Sequence, residues 1–272
     1  MKSASRQISI TRVSPDGWEA AEGEVIVETP VALTVNGEAW LTFMCTPVDL
    51  EQMAVGFLFN EGVIDSIDEI ADVRLCQTGD NIDVWLTHSA EKPKTWRRTS
   101  GCTGGVTAFQ GEVALNNVPN GLTLPAHRVG DLISQLFDSQ QLYRAAGGVH
   151  TSAVSDGEKI IQIAEDIGRH NTLDKLAGHL LKNDVSLPHR VILTTGRISS
   201  EMLQKARRMG AWIVISRTSP SSLSIELAEA AGITLIGYAR RNRFIIYAHP
   251  ERILATSEMT QQTQPAIQVM RR

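Results

Sequence analysis

The sequence predicts an α/β protein with a strand-rich amino-terminal lobe and a layered α/β carboxy-terminal half. Three observations carry that prediction. Short alternating segments separated by turn signals fill the first half, and apolar strands alternate with amphipathic helices in the second. In addition, 42% of the 272 residues are hydrophobic, enough for a sizeable core.

In chain order, EVIVET (24–29) and VALTV (31–35) read as strands, and Asn36-Gly37 is a two-residue hairpin signal leading into AWLTFMC. A helix follows from Asp49, because Leu50, Met53, Ala54, Phe57 and Leu58 repeat at helical spacing, and Asn60-Glu61-Gly62 marks its exit. DVRLCQ (72–77) and IDVWLTH (82–88) form a second hairpin. The polar stretch 89–105 has neither period and is expected to be a long loop, a class of segment that is usually functional. A helix over 126–138 precedes a hairpin whose strands flank Asp156-Gly157, then a helix over 169–183. Strand 190–195, helix 200–209, strand 212–216, helix 221–231 and strands 234–239 and 244–248 complete the chain, a pattern that indicates a largely parallel sheet covered on both faces. The expected division is a lobe over 1–124 carrying the loop 89–105, an α/β ligand-binding domain over 125–256, and a polar tail over 257–272.

Composition narrows the function. A net charge of −4 with 21% charged residues argues against a nucleic-acid coat and against a disordered or fibrous chain. No apolar run approaches the roughly 20 residues that cross a bilayer, and MKSASRQISITRV lacks the apolar core of a secretory signal. A cytoplasmic protein without nucleic-acid or membrane partners is expected. The three cysteines, Cys45, Cys76 and Cys102, form no close pair, which excludes a disulfide framework and a four-cysteine zinc site, so no metal site is expected.

The chemistry is expected where the strands end, because ligands of wound α/β sheets bind beyond their carboxyl ends. Asp166, Arg169 and His170 follow one strand, and Gly196, Arg197, Ser199 and Ser200 the next. Arg217, Thr218, Ser219 and Ser221 follow a third, and Arg240, Arg241 and Arg243 a fourth. Ser199 or Ser200, and Ser219 before Pro220, are N-cap candidates whose helices would offer free N–H groups to phosphate. With an arginine at each exit, the pattern points to a polyanionic ligand. Each arginine taken singly reads better as a solvated surface charge paired with nearby carboxylates, and it is the coincidence at four exits that favours a ligand. Cys102 sits in S-G-C-T-G-G, where Gly101, Gly104 and Gly105 permit a tight backbone and Arg97 and Arg98 lie just upstream, a setting that suits a thiolate nucleophile. Cys45 and Cys76 lie in apolar strand contexts and read as small core residues. His170 and Asp174, one turn apart, are placed to meet on a helix face, and His150 reads as structural.

Four segments together resemble the formate dehydrogenase accessory sulfurtransferases, the FdhD family. They are RTSGCTGG (98–105), GGVHTSAV (147–154), EDIGRHNTLDKLAGHLL (165–181) and the long run 194–244 ending in GYARRNRF; VGFLFNEGVI (55–64) extends the likeness. The resemblance implies a sulfur carrier that takes persulfide sulfur from a cysteine desulfurase and passes it to the molybdenum bis(pyranopterin guanine dinucleotide) cofactor, bound as substrate, for formate dehydrogenase. It implies that Cys102 carries the persulfide and that Tyr238, Ala239, Arg240, Arg241, Asn242 and Arg243 contact the guanine dinucleotide. It also implies a three-layer α/β/α sandwich like that of cytidine deaminases, and a homodimer. Glu165, Asp166, Arg169 and His170 are expected to shape the pocket or the docking site of the loop. One departure stands out: many members carry C-x-x-C in the loop, and here the second position is Gly105. That departure keeps an alternative in view, a chaperone that binds and presents the cofactor without carrying sulfur. A zinc deaminase is disfavoured, because its P-C-x-x-C signature has no counterpart in this chain.

Overall fold

The computed structural model describes residues 3–93, 97–98, 106–107, 123–185, 187 and 190–255. Strands β1 (Ser5–Ser14) and β2 (Gly17–Ile26) pair as an isolated antiparallel ribbon. The expected strand 24–29 is therefore divided: its first half closes β2, and Thr29 opens β3 (Thr29–Val35). Asn36 (φ 49°) and Gly37 (φ 82°) are both left-handed, the two-residue turn geometry that matches strand twist, and they return the chain into β4 (Glu38–Cys45). Helix α1 (Leu50–Asn60) follows, then β5 (Ile70–Leu75) and β6 (Asn81–Leu86). These strands form a four-stranded sheet in the order β4-β3-β6-β5, with β3 and β6 parallel. The Asn36 side chain fixes that parallel pair, accepting from Leu86 N at 2.7 Å and donating to His88 O at 2.9 Å. Met53, Ala54, Phe57 and Leu58 of α1 pack on Val31, Leu33, Phe43, Ile82 and Val84 to form the core of this lobe.

Within the polar stretch, β7 (Arg97–Arg98) pairs antiparallel with β8 (Val106–Thr107), so part of the expected loop is the stem of a hairpin. After β9 (Leu124–Pro125) come α2 (Ala126–Asp138), the short α3 (Leu142–Ala146), β10 (His150–Ser155), β11 (Ile160–Asp166) and α4 (Arg169–Lys182). Then follow β12 (Arg190–Thr194), α5 (Ser200–Arg208), β13 (Ala211–Ser216), α6 (Ser222–Ala231), β14 (Thr234–Gly237), β15 (Ile245–Ala248) and β16 (Ile253–Leu254), the last paired with β9.

The second sheet has the order β11-β10-β12-β13-β14-β15. The expectation of a largely parallel sheet is corrected to a mixed one, since only β12/β13 and β13/β14 are parallel pairs. The connections explain this: the links from β10 to β11 and from β14 to β15 are too short for the crossover that a parallel neighbour requires. Four strands, β11, β12, β13 and β14, still point the same way. Helices cover both faces. Leu173, Leu176, Met202, Leu203 and Ala228 of α4, α5 and α6 pack on one side, and Val129, Leu132, Ile133 and Leu136 of α2 on the other.

The two lobes meet where α1 crosses α4. A Cβ on Gly56 would lie 1.8 Å from Asp174 O, and one on Gly178 would lie 1.9 Å from Gln52 O. Glycine at both positions lets the helix backbones touch.

Candidate functional site

Because β11, β12, β13 and β14 share a direction, the four arginine-bearing exits do share one rim, joined by His150 at the start of the antiparallel β10. The arginines divide by what they hold. Arg217 donates to Ala239 O at 3.3 Å and stacks 4.9 Å from the Phe137 ring, while Arg240 donates to Arg217 O at 2.8 Å and Ala239 O at 3.0 Å. These two tie neighbouring loops together. Arg169 is buried in the wall, whereas Arg197, Arg241 and Arg243 face solvent.

A cavity of about 160 Å³ opens on this rim, lined by Arg169, Arg197, Ser199, Ser219 and Ser221 among others. Ser199 caps α5 by accepting from Met202 N, as expected. The cap of α6 is Ser221, accepting from Ser224 N at 3.2 Å, and not Ser219. The reason is the strand-like bridge between Ile198 and Pro220, in which Ser221 N donates to Ile198 O at 2.9 Å; it keeps Pro220 outside the helix and aligns the two helix starts. A larger cavity, about 570 Å³, lies at the opposite, amino-terminal ends of the strands beside Phe59, Asp184 and Arg190, and no rim residue lines it.

The segment expected to meet the guanine dinucleotide forms the tight turn between β14 and β15. Tyr238 is left-handed (φ 49°), uncommon for an aromatic residue, and its N–H donates to Thr218 O at 2.9 Å. Arg240 N donates to Arg243 O at 2.7 Å and closes the turn. Tyr238, Arg241, Asn242 and Arg243 project outward. Ala239 does not: its side chain is in the core, its N–H is bonded to Ser216 O, and its carbonyl takes the two arginine bonds above.

The string 165–175 turns out to be a lock between lobes as much as a wall of the rim. Glu165 accepts from the backbone N–H groups of Gln141, Leu142 and Tyr143, so it caps α3. Asp166 accepts from Thr46 N (3.0 Å), Gly168 N (2.7 Å), Asn171 Nδ2 (2.8 Å) and Lys175 Nζ (2.7 Å). The expected pairing of His170 with Asp174 is absent. Asp174 is instead bound by Lys205 Nζ at 2.7 Å to both oxygens and by Asn60 Nδ2 at 2.8 Å, and neither His170 ring nitrogen has a hydrogen-bond partner among the described residues. Burial, then Lys205, Arg169 and His150, hold the His170 imidazole well below its usual pKa. His150 is also lowered, by burial and then by Arg169, with Asp166 opposing, and its Nδ1 lies 3.5 Å from Thr195 Oγ1. Lys175 and Lys205 are buried cations that periodicity does not reveal; the clustering of charge in EDIGRHNTLDK is a signal for Lys175, and nothing comparable marks Lys205.

Cys102 lies outside the described residues; the flanking strands pair Arg97 with Thr107 and Arg98 with Val106. Cys45 is fully buried, as expected, 3.7 Å from Thr29 O. Cys76 departs from its expected apolar setting. It follows β5 in a turn, where its sulfur lies 3.2 Å from Thr78 Oγ1 and 3.0 Å from Asp80 Oδ1 and accepts from Asn81 N at 3.1 Å. The Asp80 contact raises its pKa, but Thr78 and the backbone N–H groups of Asp80 and Asn81 bring the net shift below the ordinary thiol value. Among the described residues no cluster of His, Cys, Asp or Glu could hold a metal ion, and no helix is long and apolar enough to cross a membrane.

Residues 26–254 match the model of the FdhD/NarQ family. The chain is 36% identical to the sulfur carrier protein FdhD of Bacillus subtilis, over 88% of this chain and 96% of that protein. It is 35% identical to the protein of the same name from Staphylococcus haemolyticus, over 85% and 90% respectively. A crystal structure from Desulfotalea psychrophila, described as that of a formate dehydrogenase accessory protein, superposes with a TM-score of 0.77 at 31% identity, covering 93% of this chain and all of the other.

Proposed function

The chain belongs to the FdhD/NarQ family, and from that premise we propose that it is a cytoplasmic sulfur carrier in formate dehydrogenase maturation. The observation that carries this reading is likeness along nearly the whole chain to proteins named for sulfur carriage. The rim supports its ligand half: three outward arginines, two aligned helix starts and an exposed aromatic residue suit a phosphorylated nucleotide. The cargo is the molybdenum bis(pyranopterin guanine dinucleotide) cofactor, bound as substrate. Tyr238, Arg241, Asn242 and Arg243 contact it directly, with Ala239 and Arg240 as the frame of the turn. The carboxy-terminal layers keep their proposed likeness to the cytidine deaminase sandwich, and the protein acts as a homodimer.

The Cys102 thiolate attacks the outer sulfur of a cysteine desulfurase persulfide. A new S–S bond forms on Cys102, the donor S–S bond breaks, and the donor cysteine leaves as thiolate. Passing that sulfur to the metal as sulfide takes two electrons, which a thiol from outside the loop supplies, since Gly105 stands where many relatives have a second cysteine. Thiolate at Cys102 is favoured by the arginines upstream.

The test is incubation with a cysteine desulfurase and cysteine without reductant, followed by peptide mass measurement. A gain of about 32 Da on the Cys102 peptide is expected for one added sulfur. Cys102→Ala should abolish the gain and the support of formate dehydrogenase activity, with GDP binding retained. No gain in the unmodified protein, with GDP binding intact, would replace this reading by the chaperone that presents the cofactor.

A further inference from the structure

Helix α2 carries a glycine that its own stability does not call for. Gly130 stands in the interior of a 13-residue helix, where only proline is less favourable. It is buried, and its neighbours Val129, Leu132, Ile133 and Leu136 anchor the helix in the core beneath the sheet. The space that a side chain would take is filled by the turn between β14 and β15. A Cβ on Gly130 would lie 1.8 Å from Arg241 O, 2.7 Å from Arg241 C and 3.2 Å from Arg241 Cα. All three atoms are backbone, so helix and turn touch main chain to main chain.

The same face of α2 bears on the turn a second time. Seven residues after Gly130, the Phe137 ring lies 4.9 Å under the Arg217 guanidinium, and Arg217 donates to Ala239 O. The loop after β13 adds a further hold: Tyr238 N donates to Thr218 O at 2.9 Å, and a Cβ on Gly237 would lie 2.9 Å from that oxygen and 2.8 Å from the Tyr247 ring. Thus the backbone of the turn is clamped, while Tyr238, Arg241, Asn242 and Arg243 remain exposed. With a methyl at position 130, the Arg241 carbonyl would have to retreat from 1.8 Å to the ordinary contact distance of about 3.5 Å. Buried side chains hold the helix along its length, whereas the turn is open to solvent on its outer side, so the turn is the part that moves.

We infer that Gly130 is a positioning residue for the nucleotide cargo: it admits the Arg241 carbonyl to the surface of α2 and so sets where Arg241 and Arg243 are presented. Arginine recognises phosphate oxygens by a paired, directional geometry. A supporting contact that shifts by an ångström forfeits that geometry. The turn is formed before cargo arrives, and binding energy is not spent on ordering it. This inference rests on the nucleotide assignment of the turn proposed above.

Calorimetric titration of GDP into the full chain, its Gly130→Ala and Arg241→Ala variants and the double variant tests it. Each single change should weaken binding about tenfold, the loss of one hydrogen bond to a charged partner. In the Gly130→Ala background, Arg241→Ala should cost less than about twofold, because the guanidinium is already out of place. A glycine with a merely structural role would leave the cost of Arg241→Ala the same in both backgrounds. That result, or undiminished affinity in Gly130→Ala, overturns the positioning role and leaves the nucleotide reading standing. Hydrogen exchange in the unmodified protein decides the matter even where Gly130→Ala fails to fold. The amides of Tyr238, Ala239 and Arg240, bonded to Thr218 O, Ser216 O and Arg243 O, should be protected before GDP is added. Protection that arises only with GDP overturns the inference. An unmodified protein that does not bind GDP overturns the nucleotide reading and the inference together.

Discussion

Lys175 Nζ lies 2.7 Å from Asp166 Oδ2, with both side chains wholly buried. The same ammonium donates to Thr46 O and Glu165 O, each at 3.2 Å, and Asp166 accepts from Thr46 N. One ion pair therefore fastens the exit of β4 in the first lobe to the end of β11 in the second. Attraction across a dry site offsets desolvation only when the remaining hydrogen bonds are made, and here they are.

Removing one partner should be far worse than removing both. Lys175→Met leaves the Asp166 carboxyl buried without its counter-ion, and a loss of about 3–5 kcal/mol is expected from such a change. Denaturant unfolding measures it. The double variant Asp166→Asn, Lys175→Met should recover part of that loss, because the stranded charge is gone; a double-variant loss equal to the sum of the two single losses would show that the pair is not coupled.

The α1–α4 crossing depends on the absence of two side chains. Gly56→Ala would place its methyl 1.8 Å from Asp174 O, a distance no rotamer change relieves because the obstacle is backbone. The helices must separate, and a loss of at least about 1–3 kcal/mol is expected. Gly178→Ala should behave alike, against Gln52 O. Thermal unfolding of the two single variants checks this; near-native stability in either would mean that the backbones are not in contact.

Much of this architecture was legible in the residues, and the parts that were not have physical reasons. Periodicity located α1, α2, α4 and the strands of the second sheet because each buries one face or both. Strand direction is not legible for β15, since a buried strand has the same apolar pattern whichever way it runs, whereas the Asp156-Gly157 turn does mark β10 and β11 as a hairpin. The β1–β2 ribbon was missed because it buries almost nothing, although Ser14-Pro15-Asp16-Gly17 is a sound turn signal. At the site, the arginine rim followed from topology alone. The His170–Asp174 pair did not form because spacing on one helix says nothing about Lys205 arriving from another. Cys76 was misjudged from its apolar neighbours, when the turn after it decides where its sulfur points.

Acid should destabilise the fold through His170. Its folded pKa is depressed, whereas the unfolded imidazole titrates near about 6.5. Above that value both states are neutral and the stability is fully present. Below it the unfolded state takes up the proton first, so stability falls as pH drops, by up to about 1.4 kcal/mol per unit, until the folded group also protonates. His150, lowered in the same sense, adds to the slope. His170→Leu should flatten the profile between pH 6.5 and the acid limit, measured by urea unfolding at stepped pH. An unchanged slope would place the acid sensitivity elsewhere.

Arginines on the rim should separate into two classes. Arg243→Ala removes an outward group that holds nothing among the described residues, so unfolding should be unaffected while GDP affinity falls about 10- to 100-fold, the range for a hydrogen bond to a charged partner. Arg240→Ala removes the bonds to Arg217 O and Ala239 O and should lower stability as well. Titration calorimetry paired with thermal melts distinguishes them. Identical behaviour of the two variants would contradict the division between frame and contact.

Cys76 and Cys45 should react very differently with a thiol reagent. Cys45 is sealed in the core of the first lobe, where no reagent reaches it without unfolding. The Cys76 sulfur is reachable and receives backbone N–H groups that favour its thiolate over the opposing Asp80 carboxylate. In a Cys102→Ala background, iodoacetamide at neutral pH should label Cys76 alone, and the Cys45 peptide should appear modified only in denaturant. Asp80→Asn should speed the labelling further, because it removes the contact that raises the pKa. If Asp80→Asn slows it, the carboxylate must be orienting the thiol rather than opposing its ionisation, and the turn would have to be understood as a hydrogen-bond acceptor site instead.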